Sequence, residues 1–256
     1  MVGASLADLR VGAVSYLNTR PLIHGLDSDR LTLDVPARLT ERFLAGELDV
    51  ALLPLFSVLE AGGGCLVDDV GISCVGEVFS VLVASQSEFA SCGEIHLDPS
   101  SRSSSALLKV LLAEFYQGQH RLLSNESVPD GASRLLIGDP AIAFRRAHGT
   151  DWQYHDLGAL WRMHTGLPFV FAVWALASGV DPGVGDFLRA AKVDGMAARN
   201  QIANGLKDPE AVRRYLTEDI RYGLGDAEKA AIARFESLAR RHGILPAGES
   251  AKITWC

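Results

Sequence analysis

Short apolar runs alternate with helical segments along the first part of the sequence. Strands are predicted at about 9–14, 31–35 and 48–53, with helices at about 21–25 and 40–45. This order is typical of a parallel sheet that carries helices on both faces. Gly62–Gly64 follows these elements and is predicted to be a flexible loop.

The alternation restarts after a long apolar run at 77–85. Strands are predicted at 95–97 and 135–137, and helices at 101–116 and from about 140 to 148. A second long apolar run covers 169–176, and everything after Gly179 is predicted to be helical. The interruption and restart divide the pattern into two similar halves.

This organisation predicts an α/β fold with two lobes, each a mostly parallel sheet flanked by helices. Lobe 1 would combine 1–80 with 175–256, and lobe 2 would span 85–170. The runs near 78–85 and 169–176 would be two hinge strands, about which the lobes close on a ligand at the carboxyl ends of the strands. One continuous doubly wound domain is the alternative that the pattern leaves open.

Composition narrows the class of protein. Apolar residues make up 48% of the 256 residues, and the formal net charge is −7. An acidic chain without a basic face is not expected to bind nucleic acid. No apolar run is long enough to cross a bilayer, so no membrane partner is expected.

The cysteines and the first ten residues indicate the cellular compartment in which the protein is expected. The cysteines are widely spaced and form no C-x-x-C motif; they are Cys65, Cys74, Cys92 and Cys256. This spacing predicts free thiols in a reducing compartment. Segment 1–10 has no basic start followed by an apolar run, so we expect no secretory signal and a cytoplasmic location.

The sequence lacks the usual motifs for metals and cofactors. The seven histidines form no H-x-x-x-H pair, and neither G-x-x-x-x-G-K nor G-x-G-x-x-G occurs. G-x-S-x-G, a common hydrolase motif, is also absent. We therefore expect no metal and no cofactor.

Small polar residues gather where predicted strands end and helices begin. These candidates are Ser15, Asn18, Thr19, Ser80, Ser103, Ser104, Ser105 and Asp139. Hydroxyl groups and free N–H groups at a helix N-terminus suit a carboxylate. Helix capping by Asn18, Thr19 or the serine cluster, and a helix start at Asp139, are the structural alternatives. Trp161 and Trp174 are expected in the core.

Five segments together resemble one family. Val14–Pro21 is similar to the V-S-Y-L-N-T-x-P signature of the chorismate dehydratases of the futalosine route to menaquinone. Segments 49–54 (D-V-A-L-L-P), 101–104 (S-R-S-S), 137–139 (I-G-D) and 165–172 (T-G-L-P-F-V-F-A) resemble further blocks of the family, in the family's order. A related enzyme that acts on a cyclic futalosine precursor shares the fold, but the S-Y-L-N-T block is characteristic of the dehydratase.

The resemblance implies a type II periplasmic-binding-protein-like fold and a lyase that needs no cofactor. Its substrate would be chorismate, which loses water to give 3-[(1-carboxyvinyl)oxy]benzoate. The ring proton to be lost is vinylogous to the ring carboxylate, so hydrogen bonds to that carboxylate would stabilise the developing charge. A non-catalytic small-carboxylate-binding protein is the rival hypothesis.

Roles follow from the resemblance as expectations. Asn18 and Ser80 are the predicted catalytic residues, with Asn18 orienting the leaving hydroxyl or the enolpyruvyl arm. The predicted substrate-binding residues are Ser15, Thr19, Ser103, Ser104, Ser105 and Asp139. Asp139 is also a candidate base, although the enolpyruvyl carboxylate of the substrate could take the proton instead. The role of His164 and the oligomeric state stay open.

Overall fold

The computed structural model describes residues 9–116, 120–124 and 127–256, so the first eight residues of the predicted lobe 1 lie outside it. The strands are β1 (Val11–Val14), β2 (Leu31–Asp34), β3 (Val50–Pro54), β4 (Gly63–Cys74), β5 (Val81–Ser85), β6 (Glu94–His96), β7 (Arg121–Leu123), β8 (Arg134–Ile137), β9 (Gln153–Asp156), β10 (Phe169–Leu176) and β11 (Lys252–Trp255). The α-helices are α1 (Pro36–Leu44), α2 (Leu55–Glu60), α3 (Arg102–Phe115), α4 (Gly138–His148), α5 (Leu157–Thr165), α6 (Val184–Ala197), α7 (Arg199–Asn204), α8 (Pro209–Arg214) and α9 (Asp226–Arg241).

The strands form two sheets. The first sheet has six strands in the order β11-β4-β10-β3-β1-β2, and the second has five in the order β7-β6-β8-β5-β9. The prediction of an α/β fold with two sheet-centred halves is confirmed.

Both sheets are mixed; parallel pairings predominate in the first sheet, as predicted, and the second has equal numbers of parallel and antiparallel pairings. In the first sheet β1 pairs in parallel with β2 and β3, but β10 runs antiparallel to β3 and β4. In the second sheet β6 is parallel to β7 and β8, and β5 is antiparallel to β8 and β9. The antiparallel strands β5 and β10 each follow a crossing from the other sheet, so the chain enters its new sheet from the opposite end.

The predicted strand at 77–85 is shorter in the structure. Segment 75–80 crosses between the sheets, and only Val81–Ser85 forms a strand. The carboxylate of Asp156 accepts hydrogen bonds from the backbone N–H groups of Val78 and Phe79 at 3.1 and 2.8 Å. Those N–H groups are therefore bonded to a side chain and not to a neighbouring strand.

Strand β10 lies in the first sheet, where it pairs with β3 and β4 along its length. The predicted lobe boundaries and the hinge role of the segments near 78–85 and 169–176 stay predictions.

Two further expectations were wrong. The predicted loop at Gly62–Gly64 contains the start of β4, a twelve-residue strand that pairs with both β10 and β11. The segment after Gly179 is not entirely helical, because β11 adds an edge strand to β4. Both errors have one cause, since Gly63 and Gly64 pair with β11, a strand at 252–255 that no local pattern specifies.

The predicted helix at about 21–25 is a 3-10 helix at Leu17–Leu22. It contains Pro21, which has no backbone N–H for an α-helical hydrogen bond. The N–H of Thr19 bonds to the carbonyl of Tyr16 at 3.1 Å, three residues back.

Aromatic side chains form the centre of the core. Trp161 and Trp174 are fully buried, as predicted. Trp161, Phe169 and Phe235 contact one another edge to face, with ring centroids 5.1–6.1 Å apart. Within the described ranges, no helix combines the length and the apolar character needed to cross a membrane.

Candidate functional site

A cleft lined by residues of both sheets lies between the two sheets. Its apolar lining residues are Val14, Pro36, Leu52, Pro54, Ile72, Val78, Val81, Ile137, Phe171 and Ala172, and its polar ones include Tyr16, Asn18, Ser101, Arg102, Ser103 and Ser104. Strands β1, β3 and β8 reach the cavity with their carboxyl ends. An apolar cleft with a few convergent polar groups is typical of a small-molecule site.

Asn18 enters the cavity from the 3-10 helix that follows β1. That helix packs against α6 at Gly195, where a Cβ atom would lie 1.7 Å from the carbonyl oxygen of Pro21. Only a glycine permits so close an approach. The contact therefore sets the position of the backbone that carries Asn18.

The aromatic ring of Tyr16 covers Gly138 at the start of α4. A Cβ at Gly138 would lie 2.9 Å from the Tyr16 ring, and Gly138 has φ of +56°. Glycine is thus required at this position both for its conformation and for the close contact.

Three hydrogen bonds cross the cavity between parts of the chain that belong to different sheets. The N–H of Leu17 donates to Asp139 Oδ1 at 3.0 Å, and the hydroxyls of Tyr16 and Ser100 lie 3.4 Å apart. On the other side, the N–H of Phe56 donates to Ser103 Oγ at 3.1 Å. These contacts hold the two halves of the chain together beside the cavity.

The N-terminus of α3 provides the densest group of hydrogen-bond donors in the cavity. Ser101 precedes the helix, and Ser103 and Ser104 lie in its first turn, all three at 5% exposure or less. The first N–H groups of a helix have no acceptor within it, and the helix dipole favours negative charge there. Because the Ser103 oxygen accepts from Phe56, its own O–H stays available as a donor. This end of the cavity suits a carboxylate.

Ser80 lies behind the cavity in a buried hydrogen bond. Its hydroxyl is 2.7 Å from that of Tyr215, and Ser80 is fully buried. Burial raises the pKa of Tyr215 well above its usual value, while polar contacts with Ser80 and Asn18 oppose that rise. Tyr215 is therefore a neutral phenol that connects Ser80 with Asn18.

The structure brings together some of the predicted site residues and separates others. Asn18, Ser103 and Ser104 line the cavity. Thr19 is fully buried, with its hydroxyl 3.5 Å from the Asn18 side-chain oxygen.

Besides Thr19, three predicted binding residues are not among the described residues that line this cavity. They are Ser15, whose side chain is exposed, Ser105, which is half-buried, and Asp139, which lines an adjacent cavity with Arg20 and Arg146. The helix-start alternative for Asp139 agrees with its place in the first turn of α4.

His164 lies far from the cavity. Its ring stacks on Phe115 with centroids 4.4 Å apart, and its Nε2 is 3.0 Å from the Tyr116 hydroxyl. These partners are at the C-terminal end of α3, about 20 Å from the helix start at 1.5 Å per residue.

Tyr215 is the site residue that the sequence did not indicate. It belongs to a π-helical turn at Tyr215–Asp219, in a stretch whose pattern is only helical. Such turns are frequent near functional sites, but a π-helix has no clear sequence signal. Tyr16 and Arg102, by contrast, stand inside the segments that carry the family resemblance.

The titratable groups of the cavity are few. Of the described residues that line it, Tyr16 and Arg102 carry ionisable side chains. Burial raises the pKa of Tyr16, and Arg102 forms an ion pair with Glu60. In the described part of the chain, no three His, Cys, Asp or Glu side chains are grouped to hold a metal ion.

Known structures share this architecture. A protein from Archaeoglobus fulgidus superposes with a TM-score of 0.68 at 15% identity, over 93% of this chain and 98% of its own. The periplasmic aliphatic sulphonate binding protein SsuA of Escherichia coli does so with a TM-score of 0.62 at 13% identity, over 93% and 94%. These similarities confirm the predicted periplasmic-binding-protein-like fold.

Sequence comparison gives the family. The chain is 29% identical to the chorismate dehydratase of Thermus thermophilus, over 88% of this chain and 93% of that protein. It is 28% identical to the chorismate dehydratase of Campylobacter jejuni, over 86% and 88%. A family model described as menaquinone biosynthesis matches residues 9–241. The chain therefore belongs to the menaquinone biosynthesis family.

Proposed function

We propose that this protein is a chorismate dehydratase, a lyase that converts chorismate into 3-[(1-carboxyvinyl)oxy]benzoate and water. The observation that carries the proposal is that Asn18 and the N-terminus of α3 line the same cavity. Two relatives that bear the name chorismate dehydratase match most of the chain, which supports this choice of substrate.

The ring carboxylate of chorismate would bind at the start of α3. Ser104, the hydroxyl of Ser103 and the free N–H groups of the first turn would donate hydrogen bonds to it. These donors are already in place before the reaction, so they stabilise charge without reorganisation. Their target is the carboxylate on which negative charge accumulates when the vinylogous ring proton leaves.

Asn18 would act at the other end of the substrate, on the hydroxyl that departs. Loss of the ring proton and of this hydroxyl from the adjacent carbon makes the ring aromatic, and the hydroxide leaves as water once it gains a proton. A hydrogen bond from the Asn18 amide would orient the hydroxyl for departure. Ser80 and Thr19 would support Asn18 from behind through their contacts with Tyr215 and with Asn18 itself.

The base in this proposal is the enolpyruvyl carboxylate of the substrate. The ionisable side chains among the described lining residues are a tyrosine with a raised pKa and an ion-paired arginine, and neither accepts a proton near neutral pH. Asp139 is engaged with the N–H of Leu17 and lines the adjacent cavity. Holding the substrate carboxylate beside the ring proton would then supply most of the rate.

The test is conversion of chorismate by the purified protein, followed by chromatography of the substituted benzoate. We expect turnover by the wild type and at least a hundredfold lower kcat for Asn18→Ala, in line with loss of an oriented donor. The matched control is Asn200→Ala, which removes an exposed amide on α7. Near-normal kcat for Asn18→Ala, with an unchanged circular dichroism spectrum, would contradict the role of Asn18.

Two other outcomes would point to different functions. Tight chorismate binding without conversion would favour a binding protein, and the fold neighbour SsuA is a sulphonate binding protein. No reaction with chorismate, but turnover of the cyclic futalosine precursor, would favour the related enzyme of the same fold.

A further inference from the structure

Two cysteines from distant parts of the sequence meet at the edge of the first sheet. The sulfur atoms of Cys65 and Cys256 lie 2.8 Å apart, although 191 positions separate the residues. Cys65 is on β4, and Cys256 directly follows β11, which pairs with β4 in parallel. The contact is closer than two unbonded sulfur atoms normally approach, and a disulfide bond needs about 2.05 Å.

The backbone of Cys256 is held in this position from both sides. Its N–H donates to the carbonyl of Leu66 at 2.9 Å. Its carbonyl accepts from the N–H of Asp68 at 2.7 Å and from Arg189 Nη1 at 2.9 Å. Because the backbone is fixed beside β4, only a small rotation of the side chains separates the present contact from a bond.

Exposure distinguishes this pair from the other cysteines. Cys65 and Cys256 are both partly exposed, whereas Cys74 and Cys92 are buried. A small oxidant in solution can therefore reach the pair but not the other two thiols.

We propose that Cys65 and Cys256 are a site of reversible oxidation, at which a low-molecular-weight disulfide such as oxidised glutathione forms an intramolecular disulfide. One thiolate attacks the oxidant, forms a mixed disulfide and releases one reduced glutathione. The second protein thiolate then displaces the other glutathione. Two protein thiols are oxidised, and one oxidised glutathione becomes two reduced molecules.

The reaction is slow at neutral pH and faster in alkaline solution. Burial and the neighbouring Cys65 thiol raise the pKa of Cys256 to about 12. Thiolate is the reactive form, so a high pKa keeps most of the Cys256 sulfur protonated. Once formed, the bond ties the edge strand β11 to β4 and closes a very long loop, which restricts the unfolded chain.

The experiment treats the native, full-length protein with oxidised glutathione at mildly alkaline pH. Free thiols are counted after denaturation, and the linked peptides are identified by mass spectrometry. We expect the free thiols to fall from four to about two. The linked peptides should contain Cys65 and Cys256, and Tm should rise by several degrees and return to its starting value with dithiothreitol.

Matched variants make the result specific. Cys65→Ser and Cys256→Ser should show no rise in Tm and no internal link, whereas Cys92→Ser should behave like the wild type. A wild type that keeps four free thiols, stops at a stable mixed disulfide, or links Cys74 or Cys92 would overturn the proposal. The readouts are independent of chorismate, so failure here is distinct from failure of the proposed dehydratase activity.

Discussion

The hydroxyls of Ser80 and Tyr215 form a buried hydrogen bond of 2.7 Å between residues 135 positions apart. Ser80 ends the segment that crosses from the first sheet to the second, and its carbonyl accepts from the N–H of Gly138 at 2.8 Å. Tyr215 belongs to the π-helical turn of the carboxyl-terminal part. Two hydrogen bonds of Ser80 thus connect the crossing segment with the start of α4 and with Tyr215, which lies behind Asn18.

Replacing Tyr215 with phenylalanine removes this hydrogen bond and keeps the ring. A buried hydrogen bond contributes about 1 kcal/mol, so we expect a stability loss of that size. If the bond positions Asn18, kcat should also fall by about tenfold while KM for chorismate changes little.

A double-mutant cycle with Ser80→Ala is the measurement that checks this. Because both substitutions break the same contact, the double variant should lose little more kcat than either single variant. Losses that simply add would show that the two hydroxyls act separately.

Ser104 and Ser105 are neighbours on α3, but only Ser104 lines the cavity. A hydrogen bond to a charged group is worth about 1.5–3 kcal/mol. Ser104→Ala should therefore raise KM for chorismate by about 10- to 100-fold, and Ser105→Ala should leave it nearly unchanged. Steady-state kinetics of both variants measure this difference. Equal changes in KM for the two variants would remove Ser104 from the proposed carboxylate site.

Gly195 allows α6 to approach the 3-10 helix that carries Asn18. In Gly195→Ala the new methyl group would collide with the Pro21 carbonyl, so we expect a stability loss of about 1–3 kcal/mol. The displaced helix should also lower kcat.

Gly205→Ala is the control for this substitution. Gly205 has an ordinary φ of −79°, and the nearest atom to its added Cβ is at 3.8 Å. Urea unfolding and turnover are measured for both variants. If Gly195→Ala and Gly205→Ala were equally stable, α6 would accommodate the added methyl group at no cost in stability.

Asp156 should make stability depend on pH. Burial raises its pKa to about 6, although the N–H groups of Ala159, Val78 and Phe79 oppose the rise. In the unfolded chain an aspartate titrates near 3.9. A raised folded-state pKa stabilises the fold at low pH, and this contribution is lost as the pH rises from about 4 to about 6.

The difference in unfolding free energy between wild type and Asp156→Asn isolates this effect, because the other titrating groups are common to both proteins. We expect the wild type to lose up to about 3 kcal/mol relative to the variant between pH 4 and pH 7. Parallel stability curves across this range would contradict the raised pKa.

Several features of the fold could be predicted from short segments of the sequence. The alternation of strands and helices follows from apolar periodicity, which is a property of neighbouring residues, and it led to the confirmed α/β fold with two sheets. The residue type at Asp156 indicates a helix start, because an aspartate before a helical stretch is a common N-cap. Its carboxylate accepts from the N–H of Ala159 at 3.0 Å.

Other features depend on distant partners. Strand β4 starts at two glycines that pair with β11, and β11 lies in a polar stretch that forms a strand against β4. The strand predicted at 77–85 starts only at Val81, because Asp156, far along the chain, accepts hydrogen bonds from the N–H groups of Val78 and Phe79.

The same division applies to the site. By itself, the sequence determined the two-sheet α/β class, the polar strand ends and the segments that resemble the family, because these depend on residue type and short-range spacing. Only the tertiary structure decided that Asn18 and Ser104 face one cavity, that Ser105 does not line it, and that Tyr215 stands behind Ser80. Those relationships arise from packing between residues far apart in sequence, which no local pattern records.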